Sequence, residues 1–141
     1  MTRSSPAARS TVLAASLLLL AGVAPIALAA TPASILAKYE AAAGAPGSPE
    51  RGKALFTTDF KQMMGWSCSS CHTTDPTQAG KDESNGKALE PMAPAANPKR
   101  FTDPAKVEFR FSVNCPDVVG RKCTPQEKAD VLAWLLSLKT H

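Results

Sequence analysis

The stretch Cys68-Ser69-Ser70-Cys71-His72 decides how the rest of this 141-residue chain is read. Cys-x-x-Cys-His is the attachment sequence for a covalently bound haem of the c type. Two thiols at this spacing can add to the two vinyl groups of haem, and the adjacent imidazole of His72 then reaches the iron as its proximal ligand. Two other chemistries use a Cys-x-x-Cys pair. A thioredoxin-like dithiol needs a βαβ pattern, which this chain lacks. Half of a zinc site needs a second pair at a tighter spacing than Cys115 and Cys123 offer, and it would take Cys68 and Cys71 away from haem.

The compartment supports haem. Residues 1–29 carry Arg3 and Arg9, an apolar run from Val12 to Val23, and Ala27-Leu28-Ala29 ahead of Ala30. This is the layout of a cleaved secretory signal peptide, which places residues 30–141 in the periplasm as one small domain. The alternative, an uncleaved anchor, would need a longer apolar run to span a bilayer comfortably. The mature chain has no such run, so direct membrane insertion is not expected once the signal is removed. Its charge falls from the full chain's +4 by the two arginines lost. No basic patch interleaved with aromatics points to nucleic acid. A domain of this size leaves about a third of its surface unburied, so an apolar macrocycle at its centre would supply much of the core.

Four cysteines in an exported chain divide into two pairs. Cys68 and Cys71 go to the haem, and in an oxidising compartment Cys115 and Cys123 read as a disulfide closing a short loop.

Helix signals are frequent. Pro32 to Ala43 has helical composition and stops at Gly44; Ser48 can cap a second helix with Pro49 in its first position. Thr73 to Asn97 reads as a long loop rich in Gly, Pro, Asn and Asp, of the kind that wraps something. Asp103-Pro104 starts another element. Within it, Val107 to Val113 alternates in a way that fits a strand as well as a helix. The cap at Asp103 and the lack of a visible partner strand favour helix, with Val107, Phe111 and Asn114 on one face and Asn114 at its end. Thr124-Pro125-Gln126-Glu127 is a capping box before Val131, Leu132, Leu135 and Leu138, with Trp134 extending the apolar face.

The sixth position on iron sets the chemistry. His72 and His141 are the only histidines, and His141 ends the chain, so a second histidine ligand is not expected. Met63, Met64 and Met92 are the methionine candidates; the first two lie too close to the haem cysteines to reach the far face easily, and Met92 can as well line an apolar cavity. Lys99, Arg100 and Lys106 are candidates to neutralise propionates or dock a redox partner. Phe56, Phe101, Phe111 and Trp134 are candidates to line the haem, and Trp66 to pack on its edge.

The run Gly86-Lys87, Pro91, Ala93-Pro94, Asn97 to Asp103, Lys106-Val107-Glu108, Asn114-Cys115, Asp117-Val118, Gly120-Arg121, Cys123-Thr124 and Glu127-Lys128 resembles the SHP-type c cytochromes. These are a variant of the class I cytochrome c fold, and the resemblance covers most of Gly52 to Leu138. It implies an all-α, class I cytochrome c-like single domain wrapped around one covalent haem. It also implies that Asn114, immediately before the first disulfide cysteine, ligates oxidised iron beside the Cys115–Cys123 bridge. One departure is Phe109 to Val113, where that family's pattern carries a Trp-Phe and more basic residues; it bears on the shape of the distal cavity.

A physical argument stands beside the resemblance. A neutral amide oxygen is a hard, weak ligand that favours Fe(III) over Fe(II), so reduction should loosen it and open the site to oxygen or nitric oxide. Without the resemblance, Asn114 reads more readily as a helix C-cap. The expected role is electron carriage with gas binding in the reduced state, with a dihaem cytochrome c and a membrane b-type cytochrome as redox partners. The alternative is an enzyme that reduces oxygen or detoxifies nitric oxide at the open iron. A gas sensor would need an output domain, which the chain lacks.

Overall fold

The computed structural model describes residue 1, residues 30–61 and residues 65–140. The expected signal peptide beyond Met1, the candidates Met63 and Met64, and His141 therefore lie outside the described residues. Among the described residues five helices follow in order: α1 (Pro32–Ala43), α2 (Pro49–Thr57), α3 (Cys68–His72), α4 (Pro104–Val119) and α5 (Pro125–Ser137). The core is all-α.

Local chemistry explains where these helices begin. Thr124 accepts a hydrogen bond from the Glu127 amide at 3.2 Å, while the Glu127 carboxylate accepts from the Thr124 amide at 2.8 Å. This reciprocal box satisfies two of the amides that every helix start leaves unpaired. Asp103 caps α4 by accepting from the amides of Ala105 and Lys106, with Pro104 in the first position. Ser48 caps α2 through the Arg51 amide, and Pro49 again comes first.

Two expectations need correction. The helix expected to stop near Asn114 runs on to Val119 and ends at Gly120, whose φ of 78° lets it close the last turn. Pro116 lies inside the helix although it lacks an N–H and crowds the carbonyl four residues earlier. Burial of Cys115 and Val119, and the covalent tie from Cys115 to Cys123, hold the last turn in place despite the lost rung. The other correction concerns the expected loop 73–97. It contains a short antiparallel hairpin of β1 (Gly80–Lys81) and β2 (Ala88–Leu89), with Gly80 opposite Leu89. Strands of two residues are too short to display a period-two pattern.

Both α1 and α2 pack on α5. One core cluster joins Ile35 and Tyr39 of α1, Val107 of α4, and Ala129 and Leu132 of α5; a second joins Phe56 of α2 to Val131, Trp134 and Leu135 of α5. Phe101 and Phe111 touch both clusters. The α4 helix is fastened to the first cluster by a polar triad. The Tyr39 hydroxyl donates to Glu108 at 2.9 Å, and the Lys128 ammonium donates to the other Glu108 oxygen at 2.6 Å. Burial, then the Glu108 contact, pushes the Tyr39 hydroxyl's pKa upward, so Tyr39 stays a donor.

The α2–α5 crossing has its own clamp. Asp130 is only 4% exposed, yet it accepts from the Ser48 amide at 2.7 Å and from Arg51 Nε, Arg51 Nη2 and Gln126 Nε2 at 2.8 Å each. Burial alone would raise this carboxyl's pKa. The hydrogen bonds outweigh it and hold the pKa below the usual carboxylate range. A group depressed in this way contributes stability that is full above its unfolded pKa near 3.8 and is lost as pH falls through the lower folded value. Asp130→Asn should therefore cost about 1–3 kcal/mol at neutral pH, at the modest end because Arg51 is largely solvent-screened, and should flatten the stability profile below about pH 4. Urea melts from pH 2.5 to 7 check this; parallel profiles for variant and wild type would rule the clamp out.

Candidate cofactor site

Between α2, α3, α4 and α5 lies a cavity of about 530 Å³. Its walls are largely apolar: Leu55 and Phe56 from α2, Val107 and Phe111 from α4, and Val131 and Leu135 from α5 all face it. Trp66 and Phe101 add aromatic surface. Trp134, a candidate lining residue, instead sits behind Phe56 with the rings 4.9 Å apart at their centroids. A second hollow of about 420 Å³ beside Asp59, Phe60 and Arg121 has neither cysteine nor histidine in its lining.

Cys68, Cys71 and His72 enter the cavity from the short helix α3. The chain reverses at once after His72, with Thr73 at a φ of 61°, a conformation costly for a β-branched residue. Thr73 is braced there by its hydroxyl, which donates to the Asp75 carbonyl at 2.6 Å and accepts from the Asp75 amide. The hairpin leans on the same helix. A side chain at Gly80 would collide with the Cys71 carbonyl, and the Glu83 amide points at the Cys71 sulfur at 3.5 Å.

The protonation of these groups separates the competing chemistries. Burial pushes the Cys68 thiol up to about 11, with neighbouring Cys71 adding to the rise. A redox dithiol or a zinc thiolate needs the opposite shift. Both thiols are free, whereas Cys115 and Cys123 are bonded to each other with Cα atoms 5.7 Å apart. Among the described residues no three His, Cys, Asp or Glu side chains gather as a metal cage. His72 is held neutral: burial pulls its pKa down to about 4, helped by Arg100 and Arg110 and opposed by Asp82. A neutral imidazole keeps the lone pair that a metal bond requires.

The donor set thus fits a haem. Two thiols, one neutral imidazole and an apolar slot meet in one place, with Arg100, Lys106 and Arg110 in the lining as partners for carboxylates. The structure brings Cys68, Cys71, His72, Met92, Asn114, Cys115 and Cys123 to this single cavity. Lys99 is absent from its lining. Arg110, Asp82 and Asp117 are lining residues that sequence reading missed. Arg110 and Asp117 lie four residues before and three after Asn114, so helical spacing alone could have found them once α4 was known to continue.

Residues 42–135 match the family described as domain of unknown function DUF1924. The chain is 52% identical over 107 residues to the cytochrome c-type protein SHP of Cereibacter sphaeroides, spanning 74% of this chain and 82% of that one. A structure of oxidised SHP, described as an oxygen-binding cytochrome c, superimposes with a TM-score of 0.72 at 50% identity, covering 78% of this chain and 99% of the other. Oxidised cytochrome c'' of Methylophilus methylotrophus gives a TM-score of 0.72 at 38% identity, over 77% and 95% of the two chains. A solution structure of the same protein, which addresses detachment of a haem ligand, gives 0.68 at 39% identity over 77% and 94%.

Proposed function

The chain belongs to the DUF1924 family and, with its SHP relatives, to the cytochromes that carry covalent haem c, and from that premise we propose that it is a periplasmic electron carrier whose reduced form takes up a diatomic gas. Haem in such a setting supplies one-electron transfer and, where its distal position is free, a binding place for oxygen or nitric oxide. In this reading Cys68 and Cys71 hold the macrocycle by thioether bonds and His72 supplies the proximal nitrogen. Asn114 occupies the distal position in the oxidised protein and leaves it on reduction.

The observation that carries this reading is the placement of Asn114. The α4 helix presents it to the cavity that receives His72, one residue before the disulfide-bonded Cys115. Its carboxamide oxygen is neutral and hard, so it prefers the higher oxidation state. Pro116 removes one rung of the helix ladder two residues away, which loosens the turn, while the disulfide pins the backbone at Cys115. Side-chain rotation is then the cheaper motion. The described oxygen binding of SHP and the ligand detachment studied in cytochrome c'' accord with a labile distal bond. Among the described residues no helix is long and apolar enough to cross a membrane. The redox partners in this reading are a dihaem cytochrome c and, behind it, a membrane b-type cytochrome.

Asn114→Ala should convert the oxidised protein from low-spin to high-spin or water-ligated, seen by absorption and EPR, whereas Met92→Leu should leave that spectrum unchanged. Each tenfold by which Asn114 prefers the oxidised state lowers the potential by about 59 mV, so Asn114→Ala should also raise it. An unchanged low-spin spectrum in Asn114→Ala eliminates the assignment.

A further inference from the structure

Within the largely apolar cavity, α4 also contributes a polar stripe. On α4, Arg110, Asn114 and Asp117 stand at i, i+4 and i+7, one helical face, and all three line the cavity. A cation and a carboxylate therefore flank the amide, one turn to either side. Neither takes part in an ion pair among the described residues. Arg110 lies over the Phe109 ring, its guanidinium carbon 5.9 Å from the centroid, a contact that leaves its N–H groups free to donate. Arg100 differs: its Nε donates to the Pro91 carbonyl at 2.9 Å and one Nη to the Glu90 carbonyl at 2.7 Å, so its fork is already partly committed. The remaining charged groups at the cavity are Asp82 from the hairpin, Asp103 before α4 and Lys106 in its first turn, with neutral His72 from α3.

A diatomic gas arrives without a charge for a guanidinium to pair. A small anion brings one, and a guanidinium beside the vacated position would favour it over a gas of the same size. We propose that Arg110, Asn114 and Asp117 form one site at which the reduced protein takes a small oxyanion of the nitrite type and reduces it by one electron. The proposal rests on release of Asn114 and adds the substrate class to that reading. Nitrite, one electron and two protons give nitric oxide and water. One N–O bond breaks, its oxygen leaves as water, the electron comes from the reduced haem, and the protons come from solvent. Arg110 holds the anion, and Asp117 relays protons toward the departing oxygen. A carrier with one haem has one electron to give, which matches this stoichiometry. Once it is oxidised, Asn114 returns to the vacated position and opposes rebinding of the product.

The test mixes reduced holoprotein, freed of excess reductant and oxygen, separately with nitrite and with nitric oxide. Wild type should bind nitric oxide, and with nitrite it should become oxidised while a nitric oxide electrode responds. Arg110→Gln should slow the nitrite reaction about 10- to 100-fold, more than the accompanying change in reduction potential or in nitric oxide binding accounts for, and Arg110→Lys, which keeps the charge, should recover part of the loss. Asp117→Asn should slow it about 100-fold. A reduced wild type that binds nitric oxide but is not oxidised by nitrite overturns the oxyanion site and leaves the gas-binding reading standing. A shifted potential with an unchanged nitrite rate in Arg110→Gln assigns that residue to a haem carboxylate and also overturns it. Failure to bind nitric oxide at all removes the open distal position on which both readings depend.

Discussion

Replacing Gly52 by alanine should lower the melting temperature of the holoprotein by about 10–20 °C, which corresponds to about 3 kcal/mol for a domain of this size. The reason is the closeness of α2 to α5. A Cβ on Gly52 would overlap the Asp130 carbonyl and crowd the Val131 amide nitrogen, at 2.8 Å. Those are backbone atoms of a helix buried on that face, so no side chain can rotate away and the two helices must separate. Separation would also stretch the Asp130 bonds to Ser48 and Arg51 and open the packing of Phe56 against Trp134. Gly44→Ala is the matched control. Gly44 closes α1 at a φ of 72° with nothing within 4 Å of the added atom, so it should cost only about 1 kcal/mol. Thermal melts followed by circular dichroism separate the two cases. Equal shifts for both variants would show that backbone conformation, and not the helix crossing, dominates at Gly52.

The double variant Cys68→Ala/Cys71→Ala should lose covalent haem entirely, so that haem staining of a denaturing gel falls to background while the polypeptide band remains. Each single variant should keep one thioether and some stain. The consequence reaches the fold as well, because Phe56, Phe101, Phe111 and Leu135 all line the cavity the macrocycle would fill. Without it these side chains face a void or water, and helicity and melting temperature should fall together. Persistent staining in the double variant would mean that other residues make the attachment, and the reading of α3 would have to be abandoned.

Much of the helical frame was legible beforehand because its signals are local. Thr124 and Glu127 are three residues apart, as are Ser48 and Arg51, and Asp103 reaches amides two and three positions on. A cap and a proline in the first position need no distant partner to act, so the starts of α2, α4 and α5 follow from sequence. The same holds for Cys68, Cys71 and His72, whose spacing names a cofactor whatever surrounds it. The extension of α4 past Pro116 was not legible. Its support comes from burial of Cys115 and Val119, which only the packing of α4 against its neighbours decides. The hairpin at Gly80–Lys81 was equally hidden, since its partner strand and its contact with Cys71 are both tertiary.

By itself, then, the sequence determined the cofactor class, the helix starts and the presence of an amide beside a disulfide, because each depends on covalent attachment or on groups within one helical turn. Only the tertiary structure decided which side chains share a cavity with His72, and so placed Arg110 and Asp117 beside Asn114 and moved Trp134 behind Phe56. It also decided the buried bonds of Asp130, whose partner Ser48 is 82 residues away. Such contacts form only when packing excludes water from both partners at once, and the order of residues along the chain does not encode that directly.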